Sequence, residues 1–378
     1  MRLEEAMKQT ILLILSLFAL TSCTRSHVLS NNSFVYFGTY TRETSKGIYV
    51  SELDGMTGKL SNPELAVEIK NPSYVAIHQN KKFLFSIVES TDVEAVICSF
   101  AIAKDGKLTK INQRPTKGDH PCYVSIDKSG KTLFVANYSG GNIASYPIGN
   151  NGEIGLGYYY QHKGSSVTSR QKSPHPHSIN VDNNNKFVLI ADLGTDQIVS
   201  YKFDKNTGKL SPSSFVMMPL GGGPRHFSFH PNGQFVYANL ELTRQAVAMA
   251  YNSETGTLKT IQVLSTLPEG AKAEGTTAEC LVHPSGKWLY ISNRGHNSIA
   301  IFSINQNTGM LTFVGVEPTK GKVPRGFGID PSGKFLIAGH QKSENIIVFR
   351  INSKTGRLTN TGHRINVNET VNVRFLEK

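Results

Sequence analysis

Apolar and polar residues alternate along this chain in runs of a few residues, and Gly, Asn and Pro interrupt the pattern at short intervals. Tyr123 to Ile126, Thr132 to Ala136, Ile143 to Tyr146 and Gly157 to Gln161 form one such set of four. A period of two over so few residues predicts strands, and the interrupting residues predict the turns between them.

Two turn signatures repeat. The first is Gly-x-Leu or Gly-x-Ile: Thr57-Gly58-Lys59-Leu60, Asp105-Gly106-Lys107-Leu108, Asn151-Gly152-Glu153-Ile154, Thr207-Gly208-Lys209-Leu210, Thr255-Gly256-Thr257-Leu258, Thr308-Gly309-Met310-Leu311 and Thr355-Gly356-Arg357-Leu358. These seven copies are spaced by roughly 46 to 56 residues, in or just above the range of propeller blades. The second is a hairpin turn at Asp127 to Lys131, Asp182 to Lys186, His230 to Gly233, His283 to Lys287 and Asp330 to Lys334, with a degenerate copy at His78 to Lys82. It occurs six times, and the alternating run Thr370 to Leu376 supplies the missing strand.

One four-stranded sheet cannot cover both its faces, whereas seven packed radially can, and closing the ring leaves only short edges. The pattern therefore predicts an all-β, seven-bladed β-propeller over residues 34–378, closed by the C-terminal strand completing the first blade beside Phe34 to Tyr40. At 378 residues the chain is long enough for two or three domains, but the repeats bind it into one.

Ahead of the repeats, Lys8 precedes an apolar run from Ile11 to Leu20, too short to span a bilayer and suited to a signal peptide. Leu20-Thr21-Ser22-Cys23 ends it in the manner of a bacterial lipobox. Residues 1–22 are thus expected to be a lipoprotein signal peptide, with Cys23 lipidated and 23–33 a polar linker. The expected location is the periplasm or outer membrane of a bacterium, reached by export and held by a lipid anchor alone. Either Met1 or Met7 is the start.

The remaining cysteines, Cys98, Cys122 and Cys280, are odd in number and far apart, which indicates neither a disulfide framework nor a zinc site. Net charge is +12, yet the lysines are scattered with no basic run, so nucleic acid is not an indicated partner. The excess suits an anionic small molecule or an anionic membrane surface. No cofactor is implied, and a monomer or weak oligomer is expected.

Calling the strands of a blade a to d, the antiparallel order puts the a–b and c–d turns on one face and the d–a and b–c loops on the other. The first face holds the repeated turns, which marks it as scaffold and makes His230 and His283 turn residues. The second face holds what does not repeat. With Pro72, Pro121, Pro176, Pro224, Thr277, Pro324 and Thr370 in one register, the next position is Ser73, Cys122, His177, Arg225, Ala278, Arg325 and Val371. His226 and Glu279 follow by one place, and His120 and His175 precede the prolines. The b–c loops add Glu241, Arg294, His296, His340 and Gln341. His175 and His177 have a His-x-His spacing, but arginines beside a divalent cation are electrostatically unfavourable, so no metal site is expected.

Pro174-His175-Pro176-His177, Gly223-Pro224-Arg225-His226, Glu241-Leu242, Ala278-Glu279, Ser292 to Ile299 and Pro324-Arg325-Gly326-Phe327 together resemble the lactonase family of propellers, over about Phe34 to Phe375. That family includes the propeller-type 6-phosphogluconolactonases and a carboxymuconate cyclase. The resemblance implies a central cleft with His177 (or His175), Arg225, Arg294 and Glu241 as catalytic residues. His175, His226, Glu279, His296, Arg325, His340 and Gln341 are the expected substrate-binding residues. The implied reaction is hydrolysis of a sugar lactone, with Glu241 and His177 as alternative bases for water and Arg225 and Arg294 for the oxyanion or an anionic substrate group. The expected partner is a small lactone or anionic sugar. A cycloisomerase forming a muconolactone in the same cleft, and a non-catalytic exported propeller binding glycan or protein, are the alternatives.

Overall fold

The computed structural model describes residues 32–91, 94–271 and 274–378. The expected signal peptide, Cys23 and most of the polar linker lie outside these residues. Among the described residues, seven four-stranded antiparallel sheets form the blades. In blade one, strand a is Thr370–Glu377, b is Ser33–Thr39, c is Gly47–Leu53 and d is Glu64–Glu68. The other blades follow chain order, with innermost strands Val75–Ile77, Pro121–Ile126, Pro176–Val181, Pro224–Phe229, Thr276–Val282 and Gly326–Ile329. The last strand closes the first blade as expected: Phe34 lies opposite Leu376 and Phe37 opposite Val373.

Burial falls off from strand b outward, for a physical reason. A middle strand is covered on both faces by the neighbouring blades, so its residues are apolar in succession. In blade five, Phe235–Leu240 is buried throughout, whereas the outer strand Thr257–Ser265 is only partly covered. The core is accordingly a series of clusters between adjacent blades. One joins Phe235, Tyr237 and Ala248 of blade five to Cys280, Leu289 and Phe302 of blade six.

The repeated turns stitch the blades together. The Gly256 turn in blade five packs against Phe187 of blade four, and the Gly309 turn in blade six against Phe235 of blade five. Asp127 caps its own hairpin, its Oδ1 accepting from Lys131 N at 2.7 Å and Thr132 N at 2.8 Å. Where histidine replaces that aspartate, Nδ1 accepts from the turn and Nε2–H donates to the next blade. His230 reaches Gly286 O at 2.9 Å and His283 reaches Gly333 O at 2.8 Å. These turns lie on the face where the described chain begins, with Lys378 N donating to Asn32 O at 3.1 Å. The opposite face carries the cleft.

Candidate active site

Five innermost strands carry near their start one residue more than strand b can pair; in blade one the ladder skips Val371 between Thr370 and Asn372. The ladder skips Cys122 between Pro121 and Tyr123, and His177 between Pro176 and Ser178. It skips Arg225 and His226 against Asn239, and Ala278 and Glu279 against Ser292. A bulge leaves its extra residue unpaired and re-aims the side chain. All five bulges sit at the cleft end of the central channel, and only the one at Val371 adds no polar group. The other four turn a thiol, two imidazoles, a guanidinium and a carboxylate toward the axis.

Above them is a cavity of about 350 Å³, lined by Arg42, Glu89, His120, Cys122, Tyr138, Ser139, Arg170, His177, Glu241, Thr276, Arg294 and Arg325. Glu241 is its electrostatic centre. Oε2 lies 2.9 Å from Arg225 Nε and 3.2 Å from Arg294 Nη2, and Oε1 accepts from Arg170 Nη1 at 2.9 Å. Burial opposes ionisation of this carboxyl, but Arg294, Arg225, His177 and Arg170 outweigh it and hold Glu241 well below the usual carboxylate range. It is a fixed negative charge, and a weak base.

His177 has the opposite character. Burial, reinforced by Arg225 and His226, holds its imidazole well below the usual range, so it is neutral at pH 7. Its Nδ1 lies 3.6 Å from Cys122 Sγ. Burial pushes the Cys122 thiol far up, and this sulfur also reaches His177 O at 3.6 Å. Cys122 is therefore a protonated packing partner.

Across the cavity a second pole forms around Tyr40, whose hydroxyl donates to Glu89 at 2.9 Å. The Arg42 and Arg325 guanidinium groups lie 4.2 Å and 5.7 Å from its ring centroid. Neither arginine has an ion-pair partner among the described residues. Four arginines and two glutamates line the cavity, so the space between them favours an anion.

Of the residues expected from the sequence, His177, Glu241, Arg294 and Arg325 line the cavity. Arg225, His226 and Glu279 pack next to Glu241 and are not among the residues that line the cavity. His175 stands outside the wall, stacked on Tyr138 with centroids 4.5 Å apart and bonded through Nδ1 to Tyr138 O. His296 is held by Ser298 Oγ at 2.7 Å, and His340 by Asn345 O at 2.8 Å. Neither these two nor Gln341 lines the cavity. Among the described residues, no group of three His, Cys, Asp or Glu is placed to hold a metal ion.

Sequence reasoning missed Arg42, Glu89, Tyr138 and Arg170. A signal existed for two of them. Pro224 pairs with Leu240, just before Glu241, and Thr277 with Asn293, just before Arg294. In blade three the equivalent pair is Pro121 with Asn137, just before Tyr138. In blade two Glu89 follows strand b, which ends at Val88.

A seven-bladed propeller whose channel mouth is an arginine-rich cleft around one clamped glutamate defines the class. Residues 34–375 match the family described as "Lactonase, 7-bladed beta-propeller", and the chain belongs to that family. It is 36% identical to a 6-phosphogluconolactonase of Bacillus subtilis over 297 residues, covering 78% of this chain and 84% of the relative. It is 33% identical to a 6-phosphogluconolactonase of Formosa agariphila over 308 residues, covering 78% and 86%. Among solved structures, a periplasmic gluconolactonase of Pseudomonas aeruginosa superposes with a TM-score of 0.87 at 30% identity, covering 91% of this chain and 99% of that one.

Proposed function

We propose that the cleft hydrolyses a sugar lactone, with His177 as the base that activates water. The carrying observation is the contrast between the two candidate bases: Glu241 is saturated by three guanidinium groups, while His177 is neutral at the cavity wall. With Nδ1–H directed at Cys122 Sγ, Nε2 presents its lone pair to the reacting proton. Water attacks the lactone carbonyl carbon as Nε2 takes its proton. Arg294, on the cavity wall and backed by Arg170, stabilises the oxyanion. On collapse, the ring C–O bond breaks and the imidazolium returns the proton to the ring oxygen, leaving the hydroxy acid. A low-pKa imidazole suits the second step, because its protonated form is a strong acid. Arg42 and Arg325 offer unpaired positive charge for a phosphate or carboxylate on the substrate.

Relatives that bear the names of sugar lactonases support this reading over a cycloisomerase or a binding module. The test is turnover of a lactone panel followed with a pH indicator and corrected for spontaneous opening. Acceleration of a sugar lactone is expected; rates equal to the blank on every lactone would overturn the proposal. Export belongs to the same reading, supported by the periplasmic location stated for the Pseudomonas aeruginosa relative, and a lipid on Cys23 is proposed from the Leu20-Thr21-Ser22-Cys23 motif.

A further inference from the structure

Behind Glu241 runs a line of buried groups that no step above uses. Arg225 Nη1 lies 3.0 Å from His226 Nε2 and donates to Ala278 O at 2.7 Å. His226 Nδ1 lies 2.7 Å from Glu279 Oε1. A guanidinium only donates, so His226 Nε2 must accept, and the single ring proton sits on Nδ1 facing the carboxylate. The order along the line is fixed: Glu279 selects the tautomer, the tautomer offers Arg225 a lone pair, and Arg225 Nε stands 2.9 Å from Glu241.

The backbone is bent to make this possible. Arg225 and His226 are the two residues of one bulge, and Ala278 and Glu279 the two of the next. Each bulge is pinned through its own amide: His226 N donates to Asn239 Oδ1 at 3.0 Å, and Glu279 N to Ser292 Oγ at 2.9 Å. Tyr123 and Tyr74 meet the His226 ring edge-on at 5.1 Å and 5.9 Å. Burial, Arg225 and Arg374 hold His226 well below the usual imidazole range, in keeping with a neutral ring.

We propose that His226 and Glu279 are positioning residues that fix Arg225 against Glu241 by dictating a single histidine tautomer. The kinetic part of this inference rests on the lactonase reading; the tautomer does not. Reversing the tautomer would set an Nε2–H against the Arg225 donors and push the guanidinium away from Glu241. Displacement of a supporting group on the ångström scale costs about tenfold to a hundredfold in rate.

The experiment combines kinetics with nitrogen-resolved NMR of histidine-labelled protein. His226→Leu and Glu279→Leu are expected to lose about tenfold to a hundredfold in kcat. KM should change little, because neither side chain lines the cavity. His226→Gln should retain most of kcat, since its amide oxygen can accept from Arg225. In the wild type, His226 should show a protonated Nδ1 and a bare Nε2, and Glu279→Leu should disturb that signature. A bare Nδ1 in the wild type would overturn the proposal. So would His226→Leu turning over like wild type, or His226→Gln failing as badly as His226→Leu. The wild-type spectrum decides the tautomer even where a variant does not fold or no lactone is hydrolysed.

Discussion

Glu241 shows how far neighbours decide what a carboxylate can do. Its charge is held by three guanidinium groups, so Glu241→Gln leaves those cations facing one another. His177→Ala instead removes the proposed proton carrier. His177→Ala and Arg294→Ala are each expected to reduce kcat by about a hundredfold or more, the scale of losing one oxyanion donor. Steady-state kinetics on the responsive lactone checks this. Acid stability carries a second signature. His177 and His226 have folded pKa values well below the ordinary one, so the unfolded chain binds protons first. Their contribution is complete above about pH 6.5 and is lost progressively below it. Unfolding free energies from denaturant titration should therefore fall between pH 7 and pH 5, by at most about 1.4 kcal/mol per pH unit for each group, and His226→Gln should flatten the slope. Much of this site was legible in the sequence, because His177, Arg225 and Arg325 occupy the one register that varies from blade to blade while the turns on the other face repeat. Arg170 was not: its reach to Glu241, 71 positions away, depends on the path of the loop between Gln161 and Pro176, which joins blade three to blade four.

At the scale of strands and turns, the repeated glycine answers two demands at once. Gly256 has φ 72°, and a Cβ there would stand 2.3 Å from Phe187 Cδ1. Gly270 has a similar φ of 74° with nothing within 4 Å. Gly256→Ala should therefore destabilise the protein by more than about 1 kcal/mol, and Gly270→Ala by clearly less. Urea unfolding of the two variants separates backbone strain from the lost inter-blade fit. The turns could be read from the sequence because strand period and turn chemistry are local. The bulges could not, since an extra residue is defined only against its partner strand. That is why the register alone did not separate His226 and Glu279 from the residues that line the cavity.

For the whole molecule, closure makes the ring depend on one strand, Thr370–Glu377. Deleting Thr370 to Lys378 removes the inner strand of blade one and uncovers Val35, Phe37 and Phe335, which pack with Val373. Thermal melting of the truncated protein should lose cooperativity or shift strongly downward; an unchanged transition would show that the ring does not depend on its last strand. Location is tested at the other end. Cys23→Ser should release the protein from membranes while the propeller still folds, as fractionation of cells would reveal. The blade count and the closing strand were both visible in the sequence, because seven turns and six hairpins leave one strand to find.

The pairing of Phe34 with Leu376 also sets an order in time. Blades two to seven are each continuous in the chain, so they can assemble as synthesis proceeds, but blade one waits for Thr370–Glu377. Until they arrive, its b strand is a bare edge, the kind that invites pairing with another chain. Contacts so distant in sequence are also slow to form. A message cut short between Asn366 and Thr370 thus yields six whole blades and an open ring with an exposed edge. Closure makes the fold a check on whether synthesis has passed its last strand.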